Sequence, residues 1–267
     1  MSISGGSVLQ YAIPHCISNI SWNLYIFHHH IDCDSEQKNS IDFFENGSWE
    51  IQGEFGTKNG REWKNDRDKK IAEQIQSEVV NRDKSLAKQE ARINAKIDNI
   101  NNNAKLSDDK RSQQIATQQN KLEAVKTERN IISTLDKGIT QLGASKTVYT
   151  FNTVESGITA TLSSQKDGTV IINNYGTLGN RSHETSHAIQ YDNHLITFNP
   201  LGSNNLLMRN PLGIEIQAYG TEYSITGGIV PLSDNGTPKS IFGITPNWLY
   251  GLKDSSGTYL YRPSNYK

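Results

Sequence analysis

Residues 67–142 contain no proline, no aromatic residue and a single glycine, Gly138, which leaves helix as the main option for the stretch. Lys, Glu, Gln, Asn and Ala dominate it. The apolar residues recur as Ile71, Ile75, Val79, Leu86, Ile93, Ile97, Ile100 and Ala104, at steps of 4, 4, 7, 7, 4, 3 and 4. That spacing is a heptad-like seam on one helix face. Asn101-Asn102-Asn103 interrupts it, and Ser107-Asp108-Asp109 then reads as an N-cap with acids in the first turn. A second seam follows at Ile115, Leu122, Val125, Ile132, Leu135, Ile139 and Leu142. Two long helices with a short polar break predict an antiparallel hairpin. The seam is narrow, so the helices must close on each other or on a neighbouring domain.

The flanking zones differ in kind. Residues 1–66 hold three of the four tryptophans (Trp22, Trp49, Trp63) and both cysteines, Cys16 and Cys33. Residues 22–27 and 48–55 alternate weakly and read as short strands, with Asn46-Gly47 and Asn59-Gly60 as turns. Beyond the helical stretch, residues 148–151, 158–162 and 169–173 are rich in β-branched side chains, and Asp167-Gly168 marks a hairpin turn between the last two. A helix is expected from about Asn180 and another over residues 214–225, and the tail from Pro231 reads as loops with short strands. The expected organisation is a small β-containing segment at 1–66, a helical hairpin at 67–145 and an α+β domain at 146–267.

Charge narrows the function. There are 27 Lys+Arg against 28 Asp+Glu, a net charge of −1, and the pI is near 6.7, so the chain is not built as a nucleic-acid binder. No apolar run approaches the roughly 18 residues that a membrane span needs. Two cysteines make no disulfide scaffold, and the sequence leaves open whether Cys16 and Cys33 pair. The first lysine is Lys38 and no arginine precedes it, so no ordinary secretory signal is expected. Retention where the chain is made, export by a specialised route, and a natural start other than Met1 all stay open.

The chemistry is carried by residues 183–187, His-Glu-Thr-Ser-His. On a helix, His183 and His187 share one face and can grip one ion from consecutive turns, and zinc suits imidazole. Glu184 is the expected general base. Glu215 is the expected third ligand, because small Ala218, three residues on, lets a second helix approach. Glu222 and His194 are rivals. The pattern with a glycine three residues after the second histidine and a histidine three further on is not met, since those positions are Gln190 and Asn193. Tyr219 and Tyr223 are candidate oxyanion donors, with core packing as the competing reading. Gln190 reads as structural. His28-His29-His30 cannot all bind one ion from a strand, because consecutive side chains point to opposite faces.

The run His183–Gln190 (HETSHAIQ), followed by Glu215–Tyr219 (EIQAY), resembles the gluzincin type of zinc metallopeptidase. More narrowly it is similar to the metallopeptidase domains at the C-terminal ends of bacterial RHS-type polymorphic toxins. Gly138-Ile139, Val148-Tyr149 and the Asp167-Gly168 hairpin parallel the elements that precede the motif there. One departure is Gln217, where that family often has a second acid. The resemblance implies a zincin-like domain at 146–267, with a small, mostly antiparallel sheet and active-site helices. It also implies Zn²⁺ held by His183, His187 and Glu215, a polypeptide substrate lying along residues 169–173 as sheet edge, and an exported or injected effector with a cognate immunity protein. The competing reading is non-enzymatic: a helical scaffold or interaction module beside an inactive zincin-like domain.

Overall fold

Helix α1 (Asp66–Asn101) and helix α2 (Asp108–Ala144) pack against each other through the apolar seam. The computed structural model describes residues 63–155, 160–199, 206–208 and 210–261. The cysteines, the histidine run and the expected strands at 22–27 and 48–55 lie outside them. Helix α1 starts where Asn65 caps it by accepting from the Asp68 amide. Asp68 is fully buried yet satisfied: Thr150 Oγ1 donates to it at 2.6 Å and the Phe151 amide at 3.2 Å. The carboxylate thus ties the first turn of α1 to the strand that follows the hairpin. Ser107 stands at the N-cap of α2, but its side chain makes no capping bond. Arg111 holds that turn instead, donating to Asp108 and to the carbonyls of Asn103 and Leu106.

The main sheet has three strands, β1 (Tyr149–Thr153), β2 (Leu162–Ser164) and β3 (Val170–Asn174), in the order β1-β3-β2. β1 runs parallel to β3 and β2 antiparallel, so the sheet is mixed. The β2–β3 turn closes with Gln165 donating to Thr169 at 2.8 Å, and Gly168 takes φ 82°, a left-handed conformation that glycine adopts without steric cost. The expectation that residues 169–173 form a sheet edge is overturned. β3 is the central strand, with Val170, Ile172 and Asn174 buried, because β1 and β2 occupy its two sides. The edge strands are β1 and β2, and the Lys64 amide already takes the Tyr149 carbonyl of β1.

Helix α3 (Leu178–Asp192) follows, capped by Thr177 through the Asn180 amide, and begins two residues before its expected start near Asn180. A two-stranded antiparallel sheet, β4 (Ile196–Phe198) with β5 (Leu206–Met208), comes next. Helix α4 (Pro211–Thr226) is capped by Asn210, has Pro211 in its first turn and ends at Gly227 with φ 78°. Among its described residues, the tail holds a 3₁₀ turn (Ile241–Gly243), a short helix α5 (Pro246–Tyr250) and two isolated bridges rather than strands.

One hydrophobic cluster joins Ile75, Leu86, Ile132 and Ile139 of the hairpin to Phe151, Ile172, Ala188 and Ile214 of the following elements. No core boundary falls at residue 145, and every described residue lies in one compact unit, Asn46–Lys267. A second cluster sets Tyr219 and Tyr223 of α4 against Ile241, Trp248 and Leu249. Among the described residues, no helix is long and apolar enough to cross a membrane.

Candidate metal centre

Helices α3 and α4 carry the site, and small residues bring the layers close enough to form it. Ala188 and Ala218 are both fully buried. A Cβ on Gly138 of α2 would stand 2.3 Å from Ile189 Cδ1, so a bare backbone is what lets α2 lie against α3. Asp192, the last residue of α3, is held by Ser145 Oγ at 2.6 Å, Gln141 Nε2 at 2.7 Å and Tyr149 OH at 2.9 Å. Burial, followed by the Asp192 charge, pushes the Tyr149 phenol far above its ordinary range. The histidine helix is therefore anchored at its C-terminal end to the end of α2 and to β1.

His183 and His187 lie one turn apart and point their Nε2 atoms at each other, 3.2 Å apart. Glu215 of α4 closes the triangle, its Oε2 standing 3.5 Å from His183 Nε2 and 3.6 Å from His187 Nε2. These three residues are the group that can hold a metal ion among the described residues, and all are buried, at 5%, 4% and 8% exposure. Burying such polar atoms together is costly unless a proton or a cation joins them. In the metal-free protein protons do so. Burial opposes the charged form of His183, but Glu215 and Glu222 outweigh it and push its pKa up to about 10. Burial likewise opposes charge on Glu215, and the two imidazoles hold its carboxyl well below the usual range.

The surroundings sort the remaining candidates. Gln190 is fully buried; its Oε1 lies 2.8 Å from His187 Nδ1, and its Nε2 donates to the Ile214 carbonyl and to Gln217 Oε1. It joins the end of α3 to the start of α4. Glu222 lies on the far side of the His183 ring, its Oε2 3.4 Å from Nδ1. It therefore does not share the ion position with Glu215. His194 takes φ 60° just after α3, where Leu195 donates to the Gln190 carbonyl, so it closes the helix and takes no part in the triad.

Glu184 is 3% exposed, and its Oε2 has no hydrogen-bond partner. Burial raises its pKa, and the neighbouring imidazoles pull the other way. Tyr219 packs edge-on against the His183 ring with centroids 4.3 Å apart. Tyr223 does not join it, because its hydroxyl end lies against Gly228 and its charged neighbours are Glu128 and Arg82 of the hairpin. Tyr261 takes that place: its hydroxyl donates to Glu215 Oε2 at 3.0 Å and lies 3.5 Å from the Tyr219 hydroxyl. Tyr261 comes from a tail 46 residues beyond Glu215, and no sequence pattern marks it.

Family models, curated proteins and solved structures offer no match to this chain.

Proposed function

We propose that this chain hydrolyses peptide bonds with a zinc ion held by His183, His187 and Glu215. The observation that carries the proposal is the triangle of ligating atoms, with edges of 3.2, 3.5 and 3.6 Å. Tetrahedral zinc, with bonds of about 2.0–2.1 Å, holds its ligands about 3.3–3.4 Å apart. Two imidazoles and a carboxylate are a donor set suited to zinc, and three protein ligands leave a fourth position open, as hydrolysis requires. Zinc bound there supplies a Lewis acid for a carbonyl and a water acidified toward a pKa of about 7.

The chain's own groups supply the rest. Glu184 has an unpartnered, buried carboxylate oxygen and a proton affinity raised by burial, which suits a general base. It takes a proton from the attacking water and delivers it to the leaving amine nitrogen. The Tyr261 hydroxyl, whose one proton goes to Glu215 in the metal-free site, becomes the donor to the oxygen that gains negative charge by turning that O–H away from Glu215, with the Tyr219 hydroxyl beside it. The resemblance to polymorphic toxin domains extends the reading to an effector neutralised by an immunity protein.

The purified chain is expected to hold one zinc. Glu184→Gln keeps the metal and loses hydrolysis of an unfolded protein substrate by at least about 100-fold. Expression inside bacterial cells then arrests growth with the wild type and not with this variant. A zinc-free wild type, or a Glu184→Gln variant of unchanged activity, overturns the peptidase reading.

A further inference from the structure

We infer that Glu222 is the positioning residue for His183, the counterpart of Gln190 for His187, and that together they aim both Nε2 atoms at the ion position. A histidine ligates through one nitrogen only when the proton sits on the other, and the partner of that second nitrogen sets which is which. For His187 the partner is determined by the hydrogen bonds around it. Gln190 spends its NH₂ group on the Ile214 carbonyl and Gln217 Oε1, so its carbonyl oxygen faces Nδ1 and must accept from it. A proton therefore sits on Nδ1, which leaves Nε2, on the side of Glu215 and His183, as the nitrogen for the ion.

His183 poses the same problem with a different solution. Its Nδ1 is buried and makes no hydrogen bond, and the Glu222 carboxylate stands 3.4 Å away, in ion-pair range. A modest turn of the carboxylate makes it the acceptor for Nδ1–H, which leaves Nε2 for the ion. The fold makes room for this. Glu222 lies two helical turns after Glu215, on the same face of α4. Across from it on α3 is Gly179, where a Cβ would come within 3.1 Å of Glu222 Cγ and Oε1. One helix thus presents a ligand to one side of the His183 ring and its orienting group to the other.

The experiment compares the full chain with Glu222→Met, which fills the volume without an acceptor, and Glu222→Gln, which restores one. Zinc affinity is read by competition with a chelator, and folding by circular dichroism. Glu222→Met is expected to weaken zinc binding about 10–100-fold, and Glu222→Gln to recover most of the loss. In the zinc-free chain, the Nδ1–H proton of His183 should give a protected, downfield NMR resonance in the wild type and in Glu222→Gln, and not in Glu222→Met. The inference rests on the zinc reading for its first measurement only. A wild type that binds no zinc removes the peptidase proposal, and the resonance still decides the role of Glu222. Wild-type zinc affinity in Glu222→Met, a Glu222→Gln variant no better than Glu222→Met, or an unchanged resonance in Glu222→Met overturns it.

Discussion

Tyr261 and Tyr223 separate what a residue's type suggests from what its position allows. Both are phenols near the α4 helix, and only Tyr261 reaches Glu215. Tyr261→Phe is expected to keep the zinc and lower kcat/KM by about 10–100-fold, the range for losing one donor to a developing charge, while Tyr223→Phe leaves turnover unchanged. Equal rates for the two variants remove the assignment. The imidazoles predict a pH dependence as well. In the metal-free chain the folded pKa of His183 lies near 10, above an unfolded value of about 6.5. The stability it contributes is whole below about pH 6.5 and is lost as pH rises through about 10. Glu215, with its pKa depressed, contributes fully above the ordinary carboxylate range and does not reverse that sign. Metal-free protein should therefore melt at lower temperature at pH 9 than at pH 6.5. Zinc affinity should rise across the same window, because zinc displaces protons from the rings. A flat melting profile contradicts this.

At the scale of elements, the site depends on how closely three helices approach. Gly138 is one of two glycines of the hairpin, with Gly143, and sits where α2 meets Ile189 of α3. Gly138→Ala gains up to about 1 kcal/mol of helix propensity, and the clash with Cδ1 and Cγ1 of Ile189 costs about 1–3 kcal/mol. The net expectation is a lower melting temperature, recovered in part when Ile189→Val, which removes Cδ1, is added; a more stable single variant shows that α3 can retreat freely. The helices themselves were legible in sequence. The apolar steps and the Asn101-Asn102-Asn103 break are local features and placed the helices, whereas the residues that bound them, Asn65, Asn210 and Gly227, came only from the structure. β1 and β3 were legible as strands, β2 meets the expected stretch 158–162 only at Leu162, β4 and β5 were not expected, and the order β1-β3-β2 was not legible. Pairing depends on which hydrophobic faces meet the helices, and alternation is silent on that.

For the whole molecule, the hairpin is part of the fold that carries the site. Arg82 of α1 pairs with Glu128 of α2 at 2.7 Å and donates to the Ser224 carbonyl of α4 at 2.8 Å. The last buried residue of α1 is Leu86 and the first of α2 is Ala124, so the inner halves of both helices build the shared core and the outer halves pack on each other. A chain beginning at residue 146 is therefore expected to fail to fold, while one lacking residues 97–118, rejoined by a short polar turn, keeps its melting temperature and zinc content. Sedimentation, circular dichroism and metal analysis check both. A stable, zinc-binding fragment from residue 146 would show the hairpin to be dispensable.

The sequence by itself determined two long helices, a histidine pair one turn apart and an acid on a later helix, because each is a matter of spacing along one chain segment. Tertiary structure alone decided the rest: that the hairpin and the following elements share a core, that β3 lies inside its sheet, and that Tyr261 rather than Tyr223 meets Glu215. It also decided that Glu222 stands behind His183 while Glu215 stands before it. Those outcomes depend on which surfaces bury against which, a property of the packed whole that no local pattern of residues encodes.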